Sequence, residues 1–127
     1  MTVAPQFSTL LSPIKVGTQT LRNPTLMGSM HTRLETLDRG IERMTMFLAE
    51  RARGGAGLIV TGGYAVNLEA LLDPEGPQLI TPEQADELRP IPKAVHAEGG
   101  KIILQVLHPG RYGKDDLARP LILEHAG

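Results

Sequence analysis

Ser29 and His31 stand two residues apart in Gly28-Ser29-Met30-His31-Thr32, a pairing of types that a nucleophile and its base require. On a strand that spacing puts both side chains on one side about 6.5–7 Å apart, beyond a direct hydrogen bond. No GxSxG elbow surrounds the serine. His31 and His108 supply two ligands where zinc takes three or four, and no further His or carboxylate sits at an obvious strand end. Gln105 is harder to set aside, because it interrupts the apolar run Ile102-Ile103-Leu104-Gln105-Val106-Leu107. An unpaired amide there costs about 1–3 kcal/mol. Its partner is either a backbone group or a ligand edge offering a donor and an acceptor side by side, of which a flavin pyrimidine is one. Arg111, after a glycine, is placed either for an anion or electron-rich ring or for a structural salt bridge. His96, His125, Arg51 and Arg53 read as solvated surface, the two arginines at a helix end where positive charge suits the dipole.

Three short apolar runs must position these groups: Thr25-Leu26-Met27, Leu58-Ile59-Val60 and Ile102 to Leu107. The last two are continuous, as in strands covered on both faces of a parallel sheet. Their centres, near Leu26, Ile59 and Ile103, lie about 33 and 44 residues apart, room in each gap for a parallel crossover. Ile41, Met44, Phe47 and Leu48 recur at helical spacing between about Asp38 and Arg53, and Gly54-Gly55 closes that helix. Thr81-Pro82-Glu83-Gln84 is a capping box that opens a second helix, ended by Gly99-Gly100. Pro90 and Pro92 each remove a helix N–H, which predicts a break near Arg89 to Pro92. Leu11 to Leu21 reads as a hairpin ahead of the first strand. Each strand runs into small or polar residues: Gly28 to Thr32, Thr61-Gly62-Gly63, and His108 to Tyr112. In a parallel sheet such carboxyl ends share one face, where ligands bind.

Composition bounds the partners. The chain has 127 residues, 41% hydrophobic and 21% charged, so it holds one globular domain at most. Thirteen basic against fourteen acidic side chains give no electrostatic footprint for nucleic acid or an anionic membrane. With no Cys there is no thiolate nucleophile and no cysteine-held cluster within the chain. The start lacks a basic segment ahead of an apolar core, and the longest charge-free stretch, Gly54 to Leu68, is too polar to span a bilayer, so a cytoplasmic protein is expected. Aromatic content is 3%, which is low for a self-sufficient core and points to an incomplete domain.

The runs Leu26 to Thr32, Glu50-Arg51-Ala52-Arg53-Gly54-Gly55, Ile59 to Gly63, His96 to Ile102 and Leu104 to Tyr112, in this order, resemble the Old Yellow Enzyme class of NADH:flavin oxidoreductases. Within it they are most similar to the N-terminal part of bacterial 2,4-dienoyl-CoA reductases. The resemblance implies an FMN-binding (β/α)8 TIM barrel, with Ser29, Met30 and His31 flanking the flavin, Gly62 approaching it by its backbone and Gln105 bonding its pyrimidine edge. It also implies hydride transfer to an activated alkene, such as an enoyl or dienoyl thioester or an enone. An iron–sulfur cluster and an NADPH domain would belong only to a full-length relative, and no residue here matches the protonating tyrosine.

A barrel of eight strands needs about 250 residues, so the expected fold class is α/β, an incomplete (β/α)8 barrel with about three parallel strands and two crossover helices. Residues 1–116 are assigned to its N-terminal portion and 117–127 to a tail that does not match, as in a truncated frame. The inward side chains of Leu26, Ile59 and Ile103 would then lack opposing layers, and exposed strand edges would favour self-association over a stable monomer. Two other readings stay open: a non-catalytic remnant, and a different (β/α)8 enzyme such as a metal-dependent hydrolase or aldolase.

Overall fold

The computed structural model describes residues 7–112. The tail expected from 117, and His125 within it, lie outside the described residues. An antiparallel hairpin comes first, β1 (Ile14–Val16) against β2 (Gln19–Leu21), as the turn residues predict. Then follow β3 (Leu26–Met27), α1 (Gly40–Arg53), β4 (Leu58–Ala65), α2 (Pro82–Leu88), α3 (Pro90–Ala97) and β5 (Lys101–Leu107). The sheet order is β3-β4-β5, and both pairings are parallel. Sequential neighbours joined by helical crossovers are the opening units of a (β/α) barrel.

Local chemistry explains the helix limits. Asp38 and Arg39 stay outside α1 because Arg39 takes a left-handed conformation at φ 56°. At its other end Gly55 adopts φ +109°, and the Gly54 and Gly55 N–H groups bond back to Glu50 and Ala52 carbonyls. The capping box forms as expected, with the Gln84 N–H donating to Thr81 Oγ1 at 3.3 Å and the Thr81 N–H to Gln84 Oε1 at 3.1 Å. Pro90 ends that helix and starts α3, so the predicted break is present.

The main core lies on one face of the sheet, and a smaller buried cluster of Ala65, Ala70 and Leu71 sits by the end of β4. Met44, Leu48 and Ala52 of α1 and Ile91 and Val95 of α3 close over Ile59 of β4, which is fully buried. Ile59 pairs in register with Met27 and Ile102, both packed against the same cluster. Alternation then sends Leu26 and Ile103 to the opposite face, where they are 58% and 52% exposed. Ile59 therefore points to the helices, correcting its expected inward orientation, because a continuous apolar run does not say which residues face which layer.

Two further expectations change. The second strand does not stop at Val60 but continues to Ala65, whose N–H and C=O bond to Pro77 and Leu79. Arg51 and Arg53 are not merely solvated: Arg51 lies 3.6 Å over the Phe47 ring, and Arg53 reaches Glu98 beyond α3 at 2.8 Å. No helix among the described residues is long and apolar enough to cross a membrane.

Candidate functional site

The carboxyl ends of the three parallel strands converge as the strand-end chemistry anticipates. Ser29, just past β3, donates its hydroxyl to Gln105 Oε1 of β5 at 2.6 Å, across the top of β4. Gly62 lies in β4 against the segment following β3: a Cβ there would stand 2.9 Å from the Met30 carbonyl oxygen and 3.4 Å from His31 Nδ1. Ser29 thus joins Gln105, and Met30 and His31 join Gly62. The absence of a side chain at Gly62 is required first by the protein's own backbone, which packs where a methyl group would go.

The hydrogen-bond inventory of this corner is chemically specific. Gln105 Oε1 accepts the Ser29 proton and keeps a second lone pair, while its NH2 has no hydrogen-bond partner among the described residues. A donor and an acceptor are therefore presented together at the end of an apolar strand. The Ser29 hydroxyl donates its hydrogen bond to the amide oxygen of Gln105 rather than to His31, so the nucleophile–base pairing is not formed.

The other sequence candidates lie apart from this corner's hydrogen bonds. His108 Nδ1 accepts the Gly110 N–H at 3.0 Å, which makes it part of the turn after β5. Arg111 lies exposed in the 3-10 turn Gly110–Tyr112, and His96 is exposed on α3. Among the described residues no three His, Cys, Asp or Glu side chains cluster closely enough for a metal.

Beside His31 opens a cavity of about 280 Å³, lined by Gly63, Leu71, Leu107, Arg33 and Asp73 among others. Arg33, itself left-handed at φ 56°, pairs with Asp73 at 2.7 Å and ties the loop after β3 to the loop after β4. The hydrogen bond that Arg33 donates to Asp73, then the Asp73 charge, raises the Arg33 pKa above its ordinary value. Tyr64 is buried on β4, and burial, followed by the charge of Glu35, pushes its pKa up to about 12.

Sequence reasoning placed Thr61 and Gly63 at a strand end but assigned neither a role in this corner. Gly63 is the register partner of Gln105, and a Cβ on it would meet Leu107 at 2.6 Å. Thr61 accepts the Gln105 N–H. Both sit in a segment that composition marks as a turn, and only the pairing with β5 shows them to be strand.

A parallel βαβαβ sheet with its polar groups gathered at the carboxyl ends is the opening architecture of the Old Yellow Enzyme type of barrel. The chain belongs to the NADH:flavin oxidoreductase / NADH oxidase family, whose model matches residues 9–122. It is similar to the metal reductase of Desulforamulus reducens, with 38% identity over 111 residues covering 87% of this chain and 16% of that protein. Among solved structures it resembles the old yellow enzyme from Trypanosoma cruzi, with TM-score 0.71 and 33% identity over 88% of this chain and 30% of the other. It also resembles a 2-naphthoyl-CoA reductase in complex with 2-naphthoyl-CoA, with TM-score 0.76 and 27% identity over 87% of this chain and 17% of that one. The chain thus spans less than a third of each of these relatives.

Proposed function

We propose that this chain supplies the flavin-holding N-terminal strands of an FMN-dependent oxidoreductase of the ene-reductase kind, similar to the N-terminal part of 2,4-dienoyl-CoA reductases. Ser29, Met30, His31, Gly62 and Gln105 are the residues assigned to FMN. The observation that carries the reading is the Ser29–Gln105 hydrogen bond of 2.6 Å, which holds the amide at the strand ends with its NH2 uncommitted. A pyrimidine edge offers an acceptor to that NH2 and a donor to the remaining lone pair on Oε1. Ser29 fixes the amide in this orientation before a ligand arrives, so less is lost to ordering on binding. When bound, FMN supplies hydride transfer between a reduced nicotinamide and an activated alkene such as an enone or an enoyl or dienoyl thioester.

In this reading the chain's own residues bind and orient, and none is assigned a proton transfer. Met30 and His31 pack on Gly62 and fix the height of the loop over the sheet. An iron–sulfur cluster and an NADPH domain would belong to longer relatives, and the cytoplasm is the proposed location. The test is a chimera in which residues 9–112 replace the matching segment of the Trypanosoma cruzi old yellow enzyme. It should purify with a bound flavin spectrum that bleaches with a reduced nicotinamide under anaerobic conditions. A soluble, folded, colourless chimera that stays colourless with added FMN contradicts the reading.

A further inference from the structure

The β4–β5 ladder changes register between the pair Val60–Ile103 and the pair Gly63–Gln105, so Thr61 and Gly62 together oppose the single residue Leu104. In an uninterrupted parallel ladder the Gln105 N–H would donate to a β4 carbonyl. Here it donates to Thr61 Oγ1 at 3.1 Å, and the Thr61 hydroxyl in turn donates to the Gly62 carbonyl at 2.8 Å. A side-chain hydroxyl is spliced into the ladder between the two strands. Thr61 is buried, which leaves little room for water to take over either bond.

Irregularities of this kind re-aim the side chains beside them. The two groups joined by the Thr61 hydroxyl belong to the two site residues that lie within strands, Gly62 and Gln105. A threonine chosen only for β-propensity or shape would be replaceable by valine, which has the same outline and no hydroxyl. We infer that Thr61 is a positioning residue for the flavin site, its hydroxyl setting the spacing and aim of Gln105 relative to Gly62. The inference rests on the assignment of Gln105 to FMN, and its test separates the two.

Thr61→Val removes the relay at constant shape, and Thr61→Ser keeps the hydroxyl. In the flavin-free chimera, amide hydrogen exchange at residue 105 should speed at least about tenfold in Thr61→Val and stay near the parent rate in Thr61→Ser, with the α1 amides of Met44 and Leu48 unchanged. In the chimera, FMN affinity should fall roughly 5- to 15-fold for valine and recover to within about threefold for serine. Unchanged exchange at residue 105, or equal acceleration throughout α1, overturns the relay. Faster exchange at 105 with undiminished FMN affinity overturns the positioning role. If Gln105→Ala also leaves FMN affinity intact, the failure lies with the flavin assignment.

Discussion

Gln105 and Ser29 show how a single half-buried amide acquires meaning from its neighbour. An unpaired amide in an apolar strand is a cost; an amide whose carbonyl is already engaged, and whose NH2 is not, is a directed half-site. That Gln105 needs a partner is legible in the chain, because a polar group in an apolar run is conspicuous. That Ser29 is part of the answer is not, because 76 residues separate the two and nothing local brings them together. Tyr64 gives a separate residue-scale prediction. Its folded-state pKa, raised by burial to about 12, lies above the ordinary 10.0, so the unfolded chain releases the phenolic proton first. Stability attributable to this group is fully present below about pH 10 and is lost as pH rises toward about 12. Urea denaturation of the chimera across that window should show a declining midpoint that flattens in Tyr64→Phe; equal slopes in the two proteins would count against the buried phenol.

Among the elements, the hairpin, the capping box and the Pro90 break were readable because each follows from residues within four or five positions of one another. The β4 irregularity was not, since it exists only in relation to β5, and the small residues Thr61-Gly62-Gly63 imitate a turn. Arg22 illustrates the same blindness. One surface-type residue between two strands, it donates to the carbonyls of Ala52, Ala56 and Glu98, and so fastens the carboxyl ends of α1 and α3 to the start of the sheet. A cation at two helix C-termini also complements both dipoles. Replacing Arg22 with Met should remove one donor from each of three carbonyls, of which Ala52 keeps the Gly55 N–H, and lower the stability of the chimera by about 2–4 kcal/mol, measured by chemical denaturation. A loss below about 0.5 kcal/mol would mean that water replaces the guanidinium without cost.

On the scale of the molecule, the sheet is covered by helices on one face, while on the other only the small cluster of Ala65, Ala70 and Leu71 is buried. Leu26 and Ile103 project from the uncovered face, and β5 leaves its outer edge unpaired among the described residues. The 127-residue polypeptide by itself should therefore sediment as an oligomer or aggregate, and Ile103→Lys should shift it toward smaller species. A compact monomer with a cooperative melt would show that the helix-side core around Ile59 suffices. The central claim is that this half-covered sheet carries a flavin-binding corner built on Gln105. FMN fluorescence titration of the chimera and its Gln105→Ala variant tests it most directly, because the truncation deletes both halves of the amide and leaves the Ile59 core untouched. The account predicts affinity weaker by about 1–3 kcal/mol, roughly 5- to 150-fold, with the fold intact. Equal FMN affinity in the two proteins would contradict it.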